Sequence, residues 1–403
     1  MIAGALIFLA TYVAISARRL GWLGLDRPGG ALAGAVACVA AGVLSPSEAL
    51  ASIDASTILL LFGMMGMGAF LAVDRFFDRA AAGIAGWART PARLMAAIIW
   101  GSGVLAALIT NDAVCVLAAP LVVGIIGRHR LPPLPFLLAL ATGANTGSVA
   151  TLVGNPQNML CAQLGGLVYR EHLLLMLPVA VVGLAVNHAL LWWLFRAQLS
   201  GDLERAPAIP VVTKESARTL SVIAAAVILY ILGADLAWTA VGGCVVLLVI
   251  HRQDPEEIWR RVDWSVLLFF AGLFVVVEGF VRSGVPAWFF AHVPLWLGEA
   301  PAAWIRLGGI FLFGSNVVSN VPFILVVRPE MATLPDAKTG WELLAMASTF
   351  AGNLTLVGSV ANIIVAEKGR SVGGIGFWEY FRVGFPLALV TTAFGVAWVL
   401  LMR

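Results

Sequence analysis

The sequence predicts an all-α polytopic membrane protein built from two inverted-topology repeats, with about ten transmembrane helices, two re-entrant helical hairpins and two interrupted helices. Three observations carry this prediction. Of 403 residues, 61% are hydrophobic and 12% charged, whereas soluble domains carry about 25% charged residues. Apolar runs recur at the length of about 20 residues that a bilayer crossing needs. The chain also repeats itself. Asp54 in IDASTILLLFGMMGMGAFL is answered by Asp263 in VDWSVLLFFAGLFVVVEGF, and Asn111 in LITNDAVCVLAAPLVV by Asn320 in NVVSNVPFILVV, each pair 209 positions apart. TLVGNPQNML at Thr151 and TLVGSVANII at Thr355 match at a separation of 204, each reading TLVG, three residues and then Asn, at Asn158 and Asn362.

The first span is expected near 2–17. It is apolar from its second residue, its basic pair follows the apolar run, and no small-residue cleavage site follows, so it reads as a span and not a signal peptide. Further spans fall near 29–44 and 56–73, then a hairpin near 94–127, an interrupted span near 134–168 and a span near 172–195. The charged stretch RAQLSGDLERAPAIPVVTKESAR follows. Residues 1–195 thus form the first repeat, 196–217 a cytoplasmic linker and 218–403 the second repeat. In the latter, spans near 218–234, 236–250 and 264–281 precede a hairpin near 304–327, an interrupted span near 341–366 and a last span near 380–402. Asp54 and Asp263 read as helix N-caps at membrane edges. Five crossings per repeat is an odd number, so the second repeat inserts upside down relative to the first.

Charge distribution orients this arrangement. Of the 25 Lys and Arg, only Arg170, Arg282, Arg306, Arg328, Lys338 and Arg403 fall on the side of the N-terminus. The other nineteen, including those from Arg18 to Arg27, from Arg75 to Arg93 and in the linker, fall on the opposite side. Basic residues concentrate in cytoplasmic loops, so both termini are expected outside a bacterial-type inner (plasma) membrane. Arg89, Arg93, Arg128 and Arg130 flank the first hairpin on both sides, which makes it re-entrant from the cytoplasm. Around the second, Arg306, Arg328, Glu330, Asp336 and Lys338 nearly cancel, as expected for entry from outside.

Hairpin arms of about sixteen residues reach roughly 24 Å, short of the bilayer core of about 30 Å. The tips therefore stop inside the membrane, where an unpaired backbone group costs several kcal/mol. Thr110, Asn111, Ser319 and Asn320 are short polar residues suited to cap such ends and offer oxygen ligands. At the second break of each repeat, Gly154 with Pro156, and Gly358, let the chain unwind beside Thr151, Asn155, Asn158, Thr355, Ser359 and Asn362. Half-helix N-termini favour an anionic group and freed carbonyls a cation. Asp112 is the ionisable residue at the first tip, and its repeat partner is Val321. It reads either as a functional carboxylate or as the N-cap of the second hairpin arm. His188 reads as a packed interfacial histidine and Glu278 as an edge residue that reaches water.

Interrupted helices repeated in opposite orientation point to alternating access in a secondary transporter rather than to a channel. Five histidines without HExxH spacing give no support to an intramembrane enzyme. Cys38, Cys115, Cys161 and Cys244 are scattered singly, indicating neither disulfides nor a metal site. Expected partners are a small-molecule or ion substrate and the lipid bilayer, and no nucleic acid.

The segments ITNDAV, GANTGSVATLVGNPQN, SNVVSNVP and FAGNLTLVGSVAN resemble the ion transporter superfamily, which includes arsenite permeases, citrate carriers, divalent-anion/sodium symporters and a class of sodium/proton antiporters. The likeness spans nearly the whole chain. It implies two inverted repeats, a scaffold that mediates homodimerisation, and a transport unit moving as an elevator. It also implies a substrate and ion site drawn from Thr110, Asn111, Asp112, Asn145, Thr151, Gly154, Asn155, Asn158, Ser319, Asn320, Asn353, Thr355, Gly358, Ser359 and Asn362. A sodium ion is expected near Asn111, Asp112 and Asn320, with sodium or a proton as coupling ion and no other cofactor. Carboxylate carriers tend to read Ser-Asn-Thr at both tips. Here Thr110-Asn111-Asp112 is more similar to the arsenite permease branch. An ionised Asp112, with no Lys or Arg in the broken segments, repels a di- or tricarboxylate. Arsenite or another small anion or weak acid is therefore the expected substrate; the alternatives are sodium/proton antiport and sodium-coupled di- or tricarboxylate symport.

Overall fold

The computed structural model describes residues 2–16, 25–203 and 210–403. Arg18 and Arg19, counted above as cytoplasmic, and residues 204–209 of the linker lie outside them. The first half comprises α1 (Ile2–Ser16), α2 (Arg27–Ala40), α3 (Pro46–Ser52), α4 (Ala55–Val73), α5 (Phe76–Trp87), α6 (Pro91–Leu108), α7 (Asn111–His129), α8 (Pro133–Ser148), α9 (Pro156–Gly165) and α10 (Tyr169–Phe195). The second comprises α11 (Lys214–Ile231), α12 (Leu236–His251), α13 (Pro255–Trp259), α14 (Trp264–Arg282), α15 (Val285–His292), α16 (Ala302–Val318), α17 (Asn320–Met331), α18 (Ala337–Leu354), α19 (Val360–Lys368) and α20 (Phe377–Met402). Each helix of the first series has its counterpart ten places later.

Helix starts repeat with the helices. Asp26 and Asp235 cap α2 and α12, Ser45 and Asp254 cap α3 and α13, and Asp54 and Asp263 cap α4 and α14. All three pairs are 209 positions apart. In each, a side-chain oxygen accepts an otherwise orphan N–H of the first turn, worth about 1 kcal/mol. The repeats then interlock: α2 lies along α14, and α4 along α12. Gly63 and Gly272 permit these crossings, because a Cβ there would fall 2.5 Å from the Ala240 backbone and 2.8 Å from the Ala31 backbone. Close backbone approach at small residues is how helices associate where lipid removes the hydrophobic drive. A second body forms from α6 to α10 and α16 to α20, in which α8 packs on α6 and α19, and α18 on α16, α9 and α20.

The expected spans, hairpins and interrupted helices match the observed helices closely. Among the described residues, six helices (α4, α6, α7, α10, α14 and α20) are long and apolar enough to cross a membrane. The sequence reading missed the short helices α3, α5, α13 and α15, and began the last repeat at 218 where α11 starts at Lys214. The hairpin arms are also uneven: α6 and α7 have 18 and 19 residues, whereas α16 and α17 have 17 and 12. The extra turns of the first hairpin carry Arg93, Arg128 and His129, so the apolar arm is no longer than expected.

Contacts join segments that the charge pattern assigns to one side. Arg282 pairs with Glu48 at 2.5 Å, Arg403 with Asp336 at 3.2 Å, and Lys338 with Glu171. On the other side, the Leu203 N–H donates to the Arg89 carbonyl and Arg79 to the Pro210 carbonyl.

Candidate functional site

Both hairpin tips dock on the helix breaks. The Asn111 backbone N–H donates to the Gly154 carbonyl at 2.9 Å, and the Asn320 side chain donates to the Gly358 carbonyl at 3.4 Å. Thr110 accepts from the Ala113 N–H and so caps α7. That assigns the capping role to Thr110 and leaves the Asp112 carboxyl free for another: it faces the Ala361 N–H, in the first turn of α19. Asp112 thus sits at the positive end of a half-helix from the opposite repeat, where a carboxylate is favoured. Its counterpart Val321 offers α9 nothing equivalent.

The breaks are braced by matching amides. Asn158 Nδ2 donates to the Thr151 and Ser148 carbonyls at 2.9 and 3.3 Å. Asn362 Nδ2 donates to the Thr355 and Gly352 carbonyls at 3.2 and 2.6 Å. Freed carbonyls that would be costly in a membrane interior are thereby satisfied. The same bonds fix which way each amide points, because a carbonyl can only accept. With Asn362 Nδ2 committed, its Oδ1 faces Asn145 and accepts from Nδ2 at 2.8 Å. Asn145 Oδ1 then accepts from Asn111 Nδ2 at 2.9 Å and from the Ser359 hydroxyl at 3.2 Å. The relay ends with Asn111 Oδ1, an acceptor without a partner. Asn320, oriented by the Gly358 carbonyl, likewise leaves its Oδ1 unpartnered.

Asn111, Asp112, Ser319, Asn320, Gly358 and Ser359 line one cavity of about 210 Å³, and Thr110 and Asp112 an adjoining one of about 90 Å³. The two tips therefore meet at one site, as the repeat symmetry requires. Ser319 lines it with φ 69° and ψ 148°, a region that costs a non-glycine residue of order 1–3 kcal/mol and recurs at functional sites. Asn145, Asn155, Asn158, Asn353 and Asn362 are buried behind it. Asn155 donates to Ser148 and Thr349, and Asn353 to Thr146. Thr151 donates to the Ala107 carbonyl, and Thr355 bonds Asn316. These residues build the breaks, while the tips and the Gly358–Ser359 turn face the cavity.

Several lining or bracing residues escaped the sequence reading. Tyr12, Arg27, Gln157 and Asn316 line the larger cavity, and Arg261 and Asp263 the smaller. No Lys or Arg stands at the hairpin tips or the breaks themselves, although the flanking helices carry Arg93, Arg128, Arg306, Arg328, Lys338 and Lys368; Arg27 and Arg261 line the cavities from other elements. Thr349 donates to Asn158 Oδ1 at 2.9 Å; the repeat was its signal, because it stands 204 positions after Asn145. Asn316 equally stands 209 after Ala107. His188 accepts from the Trp100 indole at 3.4 Å, away from the cavity.

Residues 12–351 match the family described as Citrate transporter. The silicon efflux transporter LSI3 of Oryza sativa subsp. japonica is 31% identical, over 93% of this chain and 92% of its own. A Dictyostelium discoideum protein carrying the name transporter arsB is 27% identical over 94% of this chain and 88% of its own. The crystal structure of the Alcanivorax borkumensis YdaH transporter, whose title describes an unusual topology, shares the fold. It has a TM-score of 0.53 and 13% identity, covering 99% of this chain and 96% of that one.

Proposed function

The chain belongs to the citrate transporter family, within the ion transporter superfamily, and is an integral membrane transporter; from that premise we propose that it is a secondary active permease for a small weak acid rich in hydroxyl groups. The supporting observation is the sign of the hydrogen-bonding groups at the cavity. Asn111 Oδ1, Asn320 Oδ1 and the Asp112 carboxyl are all acceptors, and two of them are buried without a partner. Such groups cost about 1–3 kcal/mol each until a donor arrives. Arsenous and silicic acids carry several O–H donors and no charge near neutral pH, so they satisfy the acceptors without meeting repulsion from Asp112. The names of the rice and Dictyostelium relatives agree with this chemistry.

Asp112 is the coupling residue in this reading, exchanging a proton or sodium ion as the body of α6 to α10 and α16 to α20 moves against the other helices in an elevator step. A sodium ion would also meet the unpartnered acceptors near Asn111, Asp112 and Asn320, which favours sodium/proton exchange as a second reading. Arg27 at the cavity is the feature that a carboxylate symporter would use.

Thermal-shift measurements on the purified protein separate the three readings, because a ligand bound only by the folded state stabilises it by mass action. Arsenite and silicic acid are expected to raise the melting temperature with citrate and sulfate inert. Stabilisation by citrate alone, or by sodium alone, would overturn the weak-acid assignment.

A further inference from the structure

A second cluster of ionisable groups lies inside the moving body, apart from the tip cavity. The side chains of His172 on α10 and Glu342 on α18 are 0% and 4% exposed. His172 Nδ1 lies 2.5 Å from Glu342 Oε2, and Nε2 lies 3.1 Å from the Val149 carbonyl oxygen. A carbonyl only accepts, so Nε2 carries a proton. At 2.5 Å a second proton must lie between Nδ1 and the carboxyl, on one or the other. The pair therefore holds one proton more than a neutral imidazole beside a carboxylate. Without it, two acceptors confront each other at one of the two contacts, and a buried unit acquires net charge.

The place of this pair in the fold gives the proton a consequence. Val149 is the C-cap of α8. It stands two residues before Thr151 and five before Gly154, whose carbonyl holds the first hairpin tip. The pair also departs from the repeat symmetry: counted from the helix starts, Tyr380 occupies in α20 the place of His172, and Leu138 in α8 that of Glu342. Water is near at one end. Glu171 and Lys338, on the same two helices, pair at the surface, and Lys338 precedes Glu342 by one helical turn, a rise of roughly 6 Å. Around the pair stand Cys161 on α9, Tyr169 with the ring of Tyr230 of α11 tilted against it, Arg170 beside Glu171, and Asp336 bonded to Arg403 at the end of α20.

We propose that His172 and Glu342 form a proton-binding site, distinct from the tip cavity, whose occupancy sets the geometry of the α8–α9 break. With the proton bound, α10 clamps the end of α8 on one side and α18 on the other. When it leaves toward the Glu171–Lys338 surface, the longer contact, to Val149, opens and frees the break that positions Asn111.

Hydrogen exchange of the full-length protein in nanodiscs tests this without any substrate. In the wild type, protection of residues 149–158, corrected for intrinsic exchange, is expected to fall about tenfold per pH unit once the proton is lost, the slope of a single linked proton. Glu342→Gln keeps both contacts, since its amide donates to Nδ1 while Nε2–H stays on Val149, but it holds no dissociable proton; its profile is expected to be flat. Equal profiles in the two proteins would overturn the proposal. Nitrogen-15 NMR of histidine-labelled wild type, with His172 assigned by signal loss in His172→Gln, needs no stable Glu342 variant. It is expected to show two protonated ring nitrogens or, with infrared spectroscopy, a protonated carboxyl lost in Glu342→Gln. A neutral ring beside an ionised carboxylate at neutral pH would overturn the site. Failure here leaves the weak-acid reading untouched, and ligand-free readouts are equally blind to failure of that reading.

Discussion

At the scale of single residues, the two hairpin tips solve one problem differently. Thr110 caps its helix with φ −150° and a side-chain bond to the Ala113 N–H, whereas Ser319 holds φ 69° with no side-chain cap. The strain at Ser319 sits on the cavity wall. Ser319→Gly is expected to raise the thermal stability of the protein, because glycine adopts this conformation freely, by about 1 kcal/mol after its own entropic cost. The same change is expected to weaken transport by loosening the tip, and a melting curve with a flux assay checks both. Asn111→Ala removes an acceptor that the weak acid is expected to use, so its affinity for arsenite in a thermal-shift titration should fall by at least tenfold, the equivalent of a hydrogen bond worth about 1.4 kcal/mol. An unchanged titration would remove Asn111 from the binding site. None of these differences between tips was visible in the sequence beyond the Asp112–Val321 mismatch, because φ and amide orientation are set by what the tip meets in three dimensions.

At the scale of elements, Asn158 and Asn362 are the clearest matched pair, each donating to two carbonyls freed by a helix break. Replacing either by Leu strands both carbonyls. The expected loss is about 2–4 kcal/mol of stability, similar for the two variants because the bonds are equivalent; unequal losses would show that one break is carried by other contacts. A second element-scale link joins α3 to the end of α14. The hydrogen bond from Arg282, and then those from Ser45, hold the exposed Glu48 carboxyl well below the usual range, at about 2. This contribution is complete above the ordinary glutamate value and disappears as pH falls through about 2. Arg282→Ala is therefore expected to flatten the part of the acid-stability curve between those limits. Helices, hairpins and breaks were legible because hydrophobic length, Gly, Pro and Asn report local backbone demands. The short helices were partly legible too: Ser45-Pro46-Ser47-Glu48 forms a complete capping box, a signal overlooked beside the long apolar runs. Arg27 and Arg261 were not legible as site neighbours, because their positions arise from packing between distant segments, whereas Thr349 could have been found from its repeat partner Asn145.

At the scale of the whole molecule, the crossing of α2 on α14 and α4 on α12 makes one interlocked frame, against which the body carrying both tips and both breaks is free to be read as a moving unit. The contacts that keep Arg282, Lys338 and Arg403 with Glu48, Glu171 and Asp336 fix which segments share a side, and the nineteen-to-six division of basic residues is the ground for expecting that side outward. Cysteine labelling is expected to find the segment from Arg196 to Arg218 in the cytoplasm and Arg403 outside; the reverse would invert both hairpins while leaving their meeting point intact. The central claim is that a hydroxyl-rich weak acid passes between the hairpin tips with Asp112 carrying the coupling ion. Arsenite flux into proteoliposomes under imposed pH and sodium gradients, compared for the wild type and Asp112→Asn, tests it most directly. Saturable wild-type flux driven by one of the two gradients is expected, with Asp112→Asn flux that no longer responds to either. Wild-type rates with an unchanged gradient profile in Asp112→Asn would contradict it.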